Sequence, residues 1–226
     1  MIGCIAFDMD DTLYDELDYY RSGLAAVASA IARDSELDER VVFETLWAVF
    51  IEGNHNTTFN ETLDTLSITY DSDYIFKLVD VLRRHTPSIS LPVDSRAVLE
   101  ELKYRYKLAL ITDGFLPAQK LKAQALELGQ YFDGMIFTEE LGREYWKPST
   151  FAFEKLLKEM GFRSEQCVYV GDNPVKDFIA PNQLGFKTVQ MTRQNHLHTF
   201  PAPELSARAQ YHINALSQLP KLLEQM

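Results

Sequence analysis

Three aspartates, Asp8, Asp10 and Asp11, stand within four positions where the apolar start of "IGCIAFDMDDTL" (residues 2–13) ends. Carboxylates this close repel one another, so a proton or a cation must relieve them. Either they form a solvated acidic turn, or they hold a metal ion and do chemistry. Three further stretches carry matching residues. "LITDG" (110–114) supplies Thr112, Asp113 and Gly114, "YWKPS" (145–149) supplies Lys147, and "VGDNPVKD" (170–177) supplies Asp172 and Asp177. Such a set of carboxylates, a hydroxyl and a lysine can hold a metal ion or do chemistry only if the fold brings the four stretches together.

These residues need elements to bring them together. Short apolar runs at 3–7, 107–112, 134–137, 167–172 and 187–191 read as strands, and 209–214 adds a possible sixth. Helical patterns at 118–129, 150–161 and 175–185 lie between them and close on glycine, with Ser149 as an N-cap candidate for the second. Alternating strands and helices predict an α/β fold, a doubly wound parallel sheet buried on both faces. Residues 14–86 contain no strand pattern and read as four helices, returning through the proline-bearing stretch 85–94. The expected division is a core of 1–13 with 87–226 and a helical cap of 14–86. Ligands of open α/β sheets bind beyond the carboxyl ends of the strands. There the polar groups of four strand ends converge.

In these four motifs, their order and their spacing, the chain resembles the haloacid dehalogenase superfamily of phosphohydrolases, in the subclass with a helical cap inserted after the first strand. The resemblance covers essentially the whole chain. It implies strand order 5-4-1-2-3, which puts the switch point between Asp8 and Asp172. It also implies Mg²⁺ held by the carboxylates of Asp8 and Asp172 and the main-chain carbonyl of Asp10. Asp177 then acts one shell out or through water, or simply favours its helix N-terminus. Oxygen ligands, few of them from protein, suit Mg²⁺. Asp8 is the implied nucleophile, giving an aspartyl-phosphate. Asp10 protonates the leaving oxygen and then deprotonates water, with a pKa expected to be raised by its carboxylate neighbours. Thr112 and the backbone of Asp113 and Gly114 hold phosphoryl oxygens, Lys147 counters developing charge, and Thr12 orients the loop.

Asp113 stands where many relatives carry asparagine, which adds negative charge near the phosphate. Ala180-Pro181 replaces a common Gly-Ala. Within the family, Asp10 disfavours a dehalogenase, and the cap's single lysine, Lys77, comes late for phosphonate hydrolysis. A phosphomutase stays open. A phospho-receiver domain would carry its acceptor at the third strand end and no insert, and a binding-only fold would not need every catalytic position filled.

Composition narrows the partners. The 226 residues carry a net charge of −11, and 14–86 alone hold 6 Lys+Arg against 14 Asp+Glu. Such a surface does not neutralise a polyanion, so no nucleic acid and no anionic membrane is expected, and a small phosphorylated metabolite is. "MIGCIAF" is too short for a signal-peptide core, which makes a soluble cytoplasmic protein the expectation. Counting back from Asp8 and Asp172 puts the thiols of Cys4 and Cys167 on opposite faces of the sheet, with no bridge between them. The substrate is left to the cap, where Tyr19, Tyr20, Arg21, Asn54, His55 and Asn56 are candidate contacts or merely exposed turn.

Overall fold

The structure, a computed structural model, describes residues 1–52, 55–193, 195 and 201–226. It divides into two compact units, Met1–Leu17 with Ser90–Met226, and Asp18–Ile89.

The first unit is built on β1 (Cys4–Phe7), β2 (Lys107–Thr112), β3 (Gly134–Phe137), β4 (Cys167–Gly171), β5 (Lys187–Met191) and β6 (Tyr211–Ile213). They form one parallel sheet in the order β3-β2-β1-β4-β5-β6. The expected 5-4-1-2-3 arrangement is present within it, and the short 209–214 run adds a sixth strand beside β5. Every residue of β1 and β4 is buried, which is why both read as unbroken apolar runs. Phe153, from the helix Phe151–Met160, anchors the core on one face. Its ring meets Tyr169 edge-on at 4.9 Å and Phe186 at 5.8 Å.

The second unit holds most of α1 (Glu16–Ser35), with α2 (Glu39–Glu52), α3 (Thr58–Thr65) and α4 (Ser72–Arg84). On α1 the buried Leu24, Val27, Ala28 and Ile31 fall at helical spacing, one apolar stripe. Asp71 caps α4 by accepting the Tyr74 N–H at 2.9 Å. No described helix is long and apolar enough to cross a membrane.

The sequence pattern passed over α5 (Val93–Leu102), whose buried Ser95, Val98, Leu99 and Leu102 follow directly on the proline-bearing stretch. It also overran two helices. The 118–129 pattern is α6 (Ala118–Ala125), and the turn after it places Glu127, not Gly129, at a φ of 54°. The chain next forms α7 (Phe151–Met160), capped by Gly161 at φ 72°. The N-cap of α7 is Thr150, while Ser149 Oγ accepts the Phe151 N–H at 3.3 Å. The 175–185 pattern becomes helical only at α8 (Ile179–Leu184), and the chain closes on α9 (Leu219–Leu223).

The cysteine expectation is corrected. Cys4 pairs directly with Cys167 across β1 and β4, so both thiols point to the same face and lie in one apolar cluster. The register is the reason. Phe7 pairs with Val170, so Asp8 stands level with Gly171 and Asp172 extends one residue beyond. Counting back from the two aspartates was therefore one residue out, and a one-residue slip reverses a side chain's face. A hydrogen bond shared with Cys167, and then burial, push the Cys4 thiol up. Both thiols are free and fully buried. An aromatic disulfide reagent should therefore find neither thiol in the native protein and both after urea unfolding; rapid labelling of the native protein would contradict this packing.

Candidate active site

The β1 ladder runs one residue past the strand, because the Asp8 N–H donates to Val170 O at 2.8 Å. The nucleophile candidate is thereby tied to the end of β4. The chain then turns sharply. Asp11 adopts φ 52°, a left-handed conformation that aspartate tolerates better than most residues, and its carboxylate accepts the Glu16 N–H at 2.8 Å where α1 begins. Leu13 N–H closes the turn on Met9 O at 2.9 Å.

Lys147 reaches Asp8 Oδ1 at 2.9 Å and Asp177 Oδ1 at 2.7 Å, with its side chain wholly out of solvent. Tyr169 Oη, 3.0 Å away, takes a further ammonium hydrogen bond. Asp177 is also fully buried, and its other oxygen accepts the backbone N–H groups of Asp172 at 3.1 Å and Asn173 at 2.8 Å. Both Asp177 oxygens are thus taken up by the lysine and the turn after β4. Glycine at 171 permits this, since a Cβ there would lie 2.6 Å from Asp177 Oδ2. Thr12 Oγ1 donates to Asp172 Oδ1 at 3.3 Å, holding the first and fourth strand ends together.

Asp8, Asp172 and Asp177 each bring a carboxylate oxygen within 4.8 Å of the others. Burial and then Asp177 and Asp8 push Asp172 well above the carboxylate range. Asp8 is pushed up to about 6 by burial, although Lys147 opposes this. Among the described residues, both Asp8 oxygens are buried and accept no hydrogen bond of proper geometry, so the 2.9 Å contact with Lys147 is one of charge rather than direction. Orphaned, mutually repelling carboxylate oxygens fit a hard divalent cation. Burial alone would lower the Lys147 pKa, but Asp177, Asp8 and Asp113 outweigh it and hold the ammonium charged.

At the second strand end, Thr112 is buried and its Oγ1 lies 3.0 Å from Gln119 Nε2. Asp113 turns inward: it accepts Thr138 Oγ1 at 2.7 Å and the Lys147 N–H at 3.2 Å, so its charge is met by the scaffold. Gly114 sits at φ 142°, and a Cβ there would come within 2.7 Å of Gln119.

The expectation for Asp10 is corrected. Burial does push its pKa up, but the Lys122 charge and hydrogen bonds from Tyr14, Gln119 and Lys122 reverse the sign, and the carboxyl lies below its ordinary value. Lys122 Nζ is 2.9 Å from each Asp10 oxygen, Gln119 Nε2 is 2.8 Å from Oδ2, and Tyr14 Oη is 2.6 Å from Oδ1. Its neighbours are therefore donors more than carboxylates. The sequence reading missed Gln119 and Lys122, whose only signal was their spacing of three on a helix after Thr112-Asp113-Gly114. It also missed Lys176, whose Nζ lies 4.0 Å from Asp8 Oδ2, and Arg193, which donates to Thr12 O at 3.1 Å and to Ser95 Oγ at 2.8 Å.

Of the specificity candidates, Tyr20, Arg21 and His55 gather in the helical unit around Phe50 and Trp47. The Tyr20 ring lies tilted against Phe50 at 4.7 Å, His55 stacks on Phe50 at 4.3 Å, and the Arg21 guanidinium lies 4.9 Å over Trp47. Tyr19 is buried and its hydroxyl donates to Leu82 O at 3.1 Å. Asn56 is exposed in the turn before α3, and Asn54 lies outside the described residues.

A family model described as a haloacid dehalogenase-like hydrolase matches residues 2–185. Glyceraldehyde 3-phosphate phosphatase of Methanocaldococcus jannaschii is 28% identical, over 100% of this chain and 99% of that protein. Human N-acylneuraminate-9-phosphatase is 28% identical over 60% of this chain and 53% of its own length. The crystal structure of a HAD phosphatase from Thermococcus onnurineus superposes with a TM-score of 0.65 at 21% identity, over 98% of both chains, a likeness of fold. The chain belongs to the haloacid dehalogenase-like hydrolases.

Proposed function

We propose that the protein is a Mg²⁺-dependent phosphatase that hydrolyses a small phosphorylated sugar or sugar derivative through Asp8. The observation that carries this is the Asp8 carboxylate, buried with no hydrogen bond of proper geometry among the described residues and held against Lys147 where β1 ends between β2 and β4. A carboxylate that is ion-paired but takes no hydrogen bond of proper geometry among the described residues keeps lone pairs for attack. The substrate class follows the relatives, whose names describe phosphate esters of hydroxylated carbon chains.

In the first step an Asp8 oxygen bonds to phosphorus, the bond from phosphorus to the substrate oxygen breaks, and the leaving oxygen takes the proton of protonated Asp10, a form that the donors around its carboxylate disfavour in the free protein. In the second step water attacks phosphorus, the bond to Asp8 breaks, and Asp10 takes the water's proton. Each turnover thus restores the proton that Asp10 gave. Lys147 and the Thr112 hydroxyl would meet the phosphoryl oxygens, with the ammonium offsetting charge that grows in the transition state. Asp8, Asp172 and the Asp10 carbonyl would hold Mg²⁺, with Asp177 fixing Lys147 and the turn. Bound there, the cation supplies charge neutralisation and alignment of the phosphoryl group.

Phosphate release from glyceraldehyde 3-phosphate and a panel of sugar phosphates tests this reading. Turnover should disappear with a chelator, return with Mg²⁺, and be lost in Asp8→Asn. No phosphate from any ester in Mg²⁺, or full turnover in metal-free buffer, would overturn it.

The same charge arrangement predicts opposite stability effects from two inactivating changes. Lys147→Met strands Asp8 and Asp177 without their counter-charge and should cost about 3–5 kcal/mol in urea unfolding. Asp8→Asn removes a carboxylate whose pKa is raised to about 6. Such a group holds a proton when folded that the unfolded chain has released, so it lowers stability as pH rises through that window. In metal-free buffer at pH 7, Asp8→Asn should match or exceed the wild type. A large loss in Asp8→Asn, with none in Lys147→Met, would reverse the assignment.

A further inference from the structure

Lys122 is a buried lysine outside all four motifs, 4% exposed, and Gln119 beside it is 2% exposed. An ammonium is expensive to bury unless its partners are well placed. Lys122 spans both Asp10 oxygens at 2.9 Å and reaches Glu16 Oε1 at 3.1 Å. Gln119 Nε2 lies 2.8 Å from Asp10 Oδ2, 3.0 Å from Thr112 Oγ1 and 2.5 Å from Asp113 O, so one amide ties Asp10 to the second strand end. The two residues stand three apart on α6, which places them on one helix face. Glycine at 114 leaves the room that Gln119 occupies.

Each of these groups, and Tyr14 with them, donates to the carboxylate. Contacts on both oxygens fix its plane as well as its position. A general base needs its lone pair aimed at the proton it takes, and small misplacements are costly. We propose that Lys122 and Gln119 are positioning residues that hold Asp10 as the proton acceptor for the attacking water. This deepens the reading above and rests on its assignment of Asp10. In the step concerned, water's oxygen bonds to phosphorus as the bond to Asp8 breaks, and the water proton moves to Asp10, leaving inorganic phosphate and a free Asp8 carboxylate.

The test uses p-nitrophenyl phosphate with Mg²⁺, whose leaving group needs no proton, so the water step limits turnover when Asp10 is misplaced. Lys122→Met should lower steady-state kcat by at least about tenfold, within the about 10²–10⁴-fold that a general base contributes. A stoichiometric burst of nitrophenol should precede slow turnover, and intact-mass analysis should find phosphate trapped on the chain at Asp8. Gln119→Leu keeps the ion pair and should show the same signature more weakly, which decides the matter if Lys122→Met does not fold. In an Asp10→Ala background neither change should slow the reaction by more than about twofold, because residues acting through one group are not additive. The proposal is overturned if either change slows Asp10→Ala by the factor seen in wild type, or if the folded variants turn over at the wild-type rate without burst or trapped phosphate. Failure of the underlying reading looks different: Asp10→Ala alone would then turn over like the wild type.

Discussion

The structure depends on keeping like charges together out of water. Asp8, Asp172 and Asp177 bring oxygens within 4.8 Å of one another at the end of a sheet whose central strands are wholly buried. Lys147, with no solvent-exposed side-chain surface, is the counter-charge in contact with two of them. An uncompensated charge at such a depth costs several kcal/mol, so these groups are stable only as a set. The arrangement also divides labour. Asp177 spends both oxygens on the lysine and the turn, whereas Asp8 is left bare. The carboxylate that is structurally satisfied supports the one that is not.

The scaffold serves that division. β1 lies between β2 and β4, so its end stands beside the strand ends that bear Thr112 and Asp172. Gly171 gives Asp177 space to fold back under the strand end, and Tyr169 braces Lys147 while Phe153 packs edge-on against its ring. A second, separate charge group surrounds Asp10. There Lys122 is shared between Asp10 and Glu16, and burial together with Asp10 pushes Glu16 up to about 7. Asp8 and Asp10 are two residues apart, yet among the described residues one is met by lysine charge without a hydrogen bond of proper geometry and the other is surrounded by hydrogen-bond donors. The proposed roles of nucleophile and base rest on that contrast in environment more than on residue type.

Much of this was legible in the sequence. The strands announced themselves because both their faces are buried, and their ends carried the polar residues where open α/β sheets place ligands. What could not be read was anything that depends on register or on side chains meeting across the fold. The Cys4–Cys167 pairing turns on a one-residue offset between β1 and β4, which no local pattern encodes. The pKa of Asp10 was expected to rise because only its sequence neighbours were visible, and those are acidic. Of its actual partners only Tyr14 is near in sequence; Gln119 and Lys122 are more than a hundred positions away and look like ordinary polar residues of an amphipathic helix. Helix α5 escaped notice because the prolines before it read as linker, although Pro92 sits at its N-cap, where its missing N–H costs little.

The buried Asp8–Asp172 pair is, on the function proposed above, a cation site whose repulsion the fold tolerates. The most direct measurement is the thermal unfolding midpoint across a Mg²⁺ titration, with wild type and Asp172→Asn side by side. A ligand bound only by the folded state stabilises it progressively, by about 2.7 kcal/mol at a hundredfold excess over Kd. The wild-type midpoint should therefore climb with Mg²⁺ while that of Asp172→Asn stays flat. A wild-type midpoint indifferent to Mg²⁺, or an equal rise in Asp172→Asn, would contradict the account.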